Sequence, residues 1–86
     1  MRFDQDELRP VITRLKRAHG HLGTVIRMRE EGAECEDVLT QLAAVNKAVT
    51  RSGYAIVAAG WEFCRSPGGP GDDGMKRLEK LFMAFA

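Results

Sequence analysis

The sequence predicts an all-α chain of three helices, two long and one short at the C-terminal end. Apolar residues recur at alternating steps of three and four over most of its length, the spacing of a helix buried along one stripe. No stretch alternates apolar and polar residues as a strand does. The run "SPGGPGDDG" is a loop that separates the second helix from the third. With 86 residues, positions 1–86 form one small domain, and its core is thin unless it associates.

The first helix is predicted from about Asp4 or Asp6, either of which offers an N-capping side chain, to about Glu31. Leu8, Val11, Leu15, Ala18, Leu22 and Val25 form its seam. Pro10 fits only in the first turn or so, and Gly32 is a natural C-terminal stop. The second helix carries Cys35, Val38, Leu42, Val45, Val49, Ser52, Ile56, Ala59 and Phe63 on one seam. Gly53 and Gly60 lie inside it, each costing about 1 kcal/mol relative to alanine. "TRSGY" therefore admits a turn between two shorter helices. A turn usually resets the helical phase and none is reset here, which favours one long helix. In the third helix, Asp72 or Asp73 offers a cap, and Met75, Leu78, Leu81, Phe82 and Phe85 are expected on the inner side.

Abundant aliphatic residues argue against disorder. No run approaches the ~20 apolar residues of a membrane span. The opening "MRFDQDELRP" lacks signal-peptide character, so a cytoplasmic location is expected. The net charge of +1 conceals segregation. Leu8 to Arg29 holds six bases and no acid, whereas "EEGAECED" packs five acids into eight residues. One strongly basic helix points to an anionic partner, most simply nucleic acid; a solvated face is the plainer alternative. His19 and His21, about 200° apart around a helix, cannot chelate one ion together and suit a surface or DNA-facing role. No Cys-x-x-Cys, catalytic base or oxyanion site is recognisable, so enzymatic activity is not expected.

Two cysteines in an unexported chain indicate ligation, redox chemistry or packing before a disulfide framework. On one continuous helix, the 29 residues from Cys35 to Cys64 separate the thiols by roughly 43 Å. Pairing that helix antiparallel with a second copy changes the outcome. Cys35 then faces Cys64 of the partner subunit when the two-fold axis passes between Val49 and Thr50, in mid-seam. A break at Ser52–Gly53 would instead bring both thiols together within one chain.

The segments "RLKRAHGHL", "RMREEGAECEDVLTQLAAVNKAV" and the terminal cysteine of "GWEFC", within residues 12–64, resemble the copper-sensitive operon repressor (CsoR) family of bacterial regulators. That resemblance implies antiparallel helical dimers that pair into tetramers and repress operator DNA without a separate helix-turn-helix unit. It also implies release of DNA when an inducer modifies a site shared between two protomers. In the copper sensors the site is cysteine, histidine, cysteine; the matching positions here are Cys35, Gly60 and Cys64. Soft thiolates hold Cu(I) and imidazole completes the site, but glycine donates nothing. Two thiols without the nitrogen are similar to the persulfide-sensing (CstR-like) branch. The resemblance thus implies release when Cys35 and Cys64 of the partner subunit react with persulfide or polysulfide, leaving a di- to tetrasulfide crosslink and needing no cofactor. The alternative is a Cu(I)-responsive repressor using the same thiolates. Arg14, Lys16 and Arg17 match the family's basic first-helix motif as phosphate contacts, with Lys47 and Arg51 as secondary candidates.

Overall fold

The computed structural model describes residues 5–85, which form α1 (Gln5–Glu30), α2 (Cys35–Arg65) and α3 (Gly71–Phe85). Asp4 lies outside the described residues. Asp6 is not a cap: it sits inside the first turn of α1 and pairs with Arg9 at 2.7 Å. Pro10 stands a turn further into α1 than expected, where its ring withholds one backbone N–H from the helix ladder. The helix stops as the glycine signal predicts. Gly32 takes φ 82°, its N–H donates to the Arg29 carbonyl at 3.2 Å, and the Ala33 N–H donates to the Met28 carbonyl at 2.9 Å.

α2 runs unbroken for 31 residues through "TRSGY". Ser52, fully buried on the apolar seam, donates its hydroxyl to the Ala48 carbonyl at 3.0 Å, so a polar side chain is tolerated there without a turn. α1 packs antiparallel to α2, burying Val11, Ala18 and Val25 around Val45 and Ser52. α3 folds back along the C-terminal half of α2. The Phe85 ring fills the space that a Cβ on Gly53 would need. Tyr54 stacks beside Phe82 and Phe85 at centroid distances of 5.7 and 5.8 Å.

Two expectations for α3 are corrected. The helix begins at Gly71, so Asp72 and Asp73 lie in its first turn; they act on the helix dipole and do not precede it as caps. Leu81 is 64% exposed, not inward. Only α2 packs on α3, and one helix covers a narrow stripe that includes Leu78 but leaves Leu81 at its margin.

Only α1 with α2 and α2 with α3 are in contact, so the described helices make a single layer, with extents of 53 × 25 × 13 Å. The radius of gyration is 16.5 Å, against ~12 Å for a compact domain of this length. A single layer cannot bury both of its faces. Leu22, Leu39, Leu42 and Val49 accordingly remain exposed around an apolar groove of about 530 Å³ between α1 and α2.

Candidate functional site

The continuity of α2 decides where the thiols can react. Cys35 is the first residue of that helix and Cys64 the last but one, so the roughly 43 Å separation holds. The within-chain alternative fails: these sulfurs cannot meet in one polypeptide.

Their surroundings differ sharply. Cys35 is exposed and opens onto a shallow pocket of about 330 Å³ lined by Arg29, Gly32, Ala33, Glu34, Val38 and Leu39. Glu34 precedes the helix and Glu36 and Asp37 occupy its first turn, while the pocket itself holds one acid, Glu34, and one base, Arg29. Cys64 is 2% exposed, shut beneath the start of α3. A Cβ on Gly74 would lie 2.9 Å from its Sγ and would overlap the Pro70 ring. Gly69 is pressed as closely onto the last carbonyls of α2.

The same packing gives Gly60 a structural meaning. Gly74 opposite Cys64 and Phe85 opposite Gly53 set one antiparallel register between α2 and α3. In that register Leu78 falls opposite Gly60, and both are buried. Gly60 thus lies on the stripe of α2 that α3 covers. Among the described residues no group of three or more His, Cys, Asp or Glu side chains could hold a metal ion. Gly74→Ala should lift the first turn of α3: several-fold faster alkylation of Cys64 with Cys35 unchanged, read by peptide mass mapping, and about 1–3 kcal/mol less stability.

The second feature is cationic. Arg14, Arg17 and His21 from α1 and Arg51 from α2 line a pocket of about 370 Å³, floored by Ala18 and Ala48. Arg14, Arg17, Ala18 and His21 recur at helical spacing, which puts them on one stripe of α1. The antiparallel register, fixed by His21 Nε2 at 2.7 Å from Gln41 Oε1, brings Arg51 to them. No carboxylate lines the pocket. Three arginines thus line one pocket without an acid, so an anion entering it would meet positive charge alone.

Lys47 lines the adjoining groove with Arg51, Thr50 and Tyr54, which prolongs the basic surface along α2. Lys16 is exposed but borders neither pocket, so it is the one candidate left apart. Arg9 is compensated by Asp6. The charge run thus overstated the free cations of α1. His21 is the pocket member that charge counting missed, although its spacing of four from Arg17 and seven from Arg14 was the available signal. His19 is exposed elsewhere.

The described residues thus form a helical layer with a pocket lined by three arginines and no acid, and with two thiols at opposite ends of α2. The comparisons give the family. Residues 7–85 match the metal-sensitive transcriptional repressor family, and the chain belongs to it. It is 35% identical over 79 residues to the copper-sensing transcriptional repressor CsoR of Mycobacterium ulcerans, covering 92% of this chain and 68% of that one. Against CsoR of Mycobacterium tuberculosis the identity is 33% over 76 residues, covering 88% and 64%. The copper-sensing transcriptional repressor RicR of the same species is 37% identical over 65 residues, covering 71% and 68%. The chain thus spans about two thirds of the length of these relatives. Their names attach to copper and not to sulfur. No solved structure gives a significant match. No helix among the described residues is long and apolar enough to cross a membrane.

Proposed function

We propose that the chain is a repressor that grips operator DNA through the Arg14–Arg17–Arg51 pocket and lets go when an inducer engages a thiol pair shared between two subunits. The observation that carries this reading is the placement of two cysteines at opposite ends of one unbroken helix in a single layer of helices. The apolar groove along Leu39, Leu42 and Val49 supplies the surface for an antiparallel dimer about an axis between Val49 and Thr50. That pairing sets Cys35 against Cys64 of the partner subunit at both ends. A second apolar surface, lined by Val57, Trp61, Phe82 and Met83, would join dimers into a tetramer. Family membership supports a regulatory role and not an enzymatic one.

For the inducer, the comparisons favour Cu(I) over the sulfur chemistry expected from the missing nitrogen. The relatives are named for copper sensing. Cys35 and Cys64 of the partner subunit would hold the ion as two soft thiolates. Because Cys64 lies under α3, engaging it displaces the first turn of that helix. The movement passes along α2 to the arginine pocket and weakens DNA binding.

One observation supports sulfane sulfur as the second reading: position 60 offers glycine where an imidazole would complete a copper site. One thiolate would attack the outer sulfur of a persulfide, giving a cysteine persulfide and releasing the donor's thiol. The second thiolate would attack the inner sulfur, closing a disulfide and expelling hydrosulfide. Two cysteine persulfides would give a trisulfide in the same way.

Anaerobic titration of the reduced protein–DNA complex separates the readings. Release at one Cu(I) per protomer, with polysulfide ineffective, is the expected result. Release by polysulfide alone, with mass added in sulfur increments between two chains, would replace copper with the second reading. Release by neither rejects the thiol switch.

A further inference from the structure

We infer that His21 is a proton-dependent phosphate ligand in the arginine pocket, so that DNA binding takes up a proton and strengthens as pH falls. The inference rests on the proposed role of that pocket as a DNA-phosphate site, and it concerns a residue outside the basic motif.

The geometry assigns the two ring nitrogens different tasks. Nε2 lies 2.7 Å from Gln41 Oε1, an oxygen that only accepts, so Nε2 carries hydrogen and donates. Nδ1 is then the nitrogen left for the pocket that the ring lines. In the neutral ring Nδ1 presents a lone pair, which repels a phosphate oxygen. In the protonated ring it presents N–H and a positive charge, which the oxygen accepts.

The charges facing His21 are those of Arg14 and Arg17 on α1 and Arg51 on α2; Gln41 is neutral, and α3 packs on α2 alone. No carboxylate lining the pocket offsets them. A phosphate bound in the pocket would favour a proton on Nδ1, because its negative charge attracts the imidazolium and its oxygen accepts the added N–H. Proton and phosphate therefore favour one another, and the coupling is reciprocal. Imidazole is the side chain whose charge changes between about pH 5 and pH 8, so the coupling operates near neutrality.

The test uses reduced, inducer-free protein with two probes: a random-sequence DNA duplex at low salt, read by anisotropy, and inorganic phosphate, read by NMR of the histidine Cε1 protons. Between about pH 8 and pH 6, DNA affinity should rise by up to tenfold per pH unit for each occupied pocket. His21→Gln, which cannot titrate, should lose that slope while still binding through the arginines. His19→Gln should keep it. Phosphate should move the His21 titration midpoint upward and leave that of His19 in place. A His21→Gln protein that keeps the parental slope, or a His21 midpoint indifferent to phosphate, would overturn the inference. DNA binding that is tight but independent of pH sinks this inference alone. Absence of DNA binding at every pH sinks the repressor reading, and the phosphate arm then still decides the role of His21.

Discussion

Cys35→Ser and Cys64→Ala should each leave DNA affinity within about threefold of the parent and each abolish release by the inducer. Neither thiol lines the arginine pocket, and they lie at opposite ends of α2, so reduced-state DNA contacts do not depend on them. Either loss leaves a single soft donor, which can neither hold Cu(I) as a thiolate pair nor close a sulfur bridge. The variants differ in their effect on stability. Cys35 is exposed, and serine there should be nearly silent. Cys64 fills a tight space against Gly74, and alanine there leaves a small cavity costing about 1 kcal/mol or slightly more. Anisotropy with labelled operator DNA, before and after inducer, reads both effects.

Arg14→Ala and Arg51→Ala carry the second large effect. On the proposed role of the pocket, each would delete one charge-assisted contact to phosphate in every subunit that faces the DNA. Affinity should therefore fall roughly 10- to 100-fold per substitution. The slope of log affinity against log salt should shrink by about one for each lost contact. Lys16→Ala, outside both basic pockets, should change affinity by no more than about threefold. Reaction of the thiols with inducer should proceed in all three variants. A Lys16 effect as large as that of Arg14 would show that the DNA tracks the outer surface of α1 and not the pocket between α1 and α2.

The main helices were legible because burial along a helix leaves a periodic trace. The seam from Cys35 to Phe63 never changes phase, and α2 is continuous despite Gly53 and Gly60. Gly32 marked its turn because its left-handed φ favours glycine. The packing of α3 was less legible. Met75, Leu78, Leu81, Phe82 and Phe85 all suit a helix core, and only contact with α2 reveals that Leu81 is left outside. The cover over Cys64 was invisible for a related reason. Gly74 reads as a loop residue beside "PGDD", and its closeness to a sulfur ten positions upstream is a tertiary fact. The family's basic motif pointed to Arg14 and Arg17, with Arg51 as a secondary candidate, but the sequence could not show that the α1–α2 register gathers them around one pocket with His21. The inducer was least legible: one departure at Gly60 points to sulfur, while the family relatives point to copper.

Subunit exchange isolates the shared thiol pair. Cys35→Ser and Cys64→Ala proteins, each unable to form the pair alone, are mixed, exchanged and treated with a thiol-bridging reagent under anaerobic conditions. If Cys35 of one chain faces Cys64 of the other, the mixed dimer regains one intact pair, and mass spectrometry finds one bridge per dimer joining the two different chains. No bridge after verified exchange would contradict the arrangement, as would a bridge between Cys35 and Cys64 of one polypeptide in the parent protein.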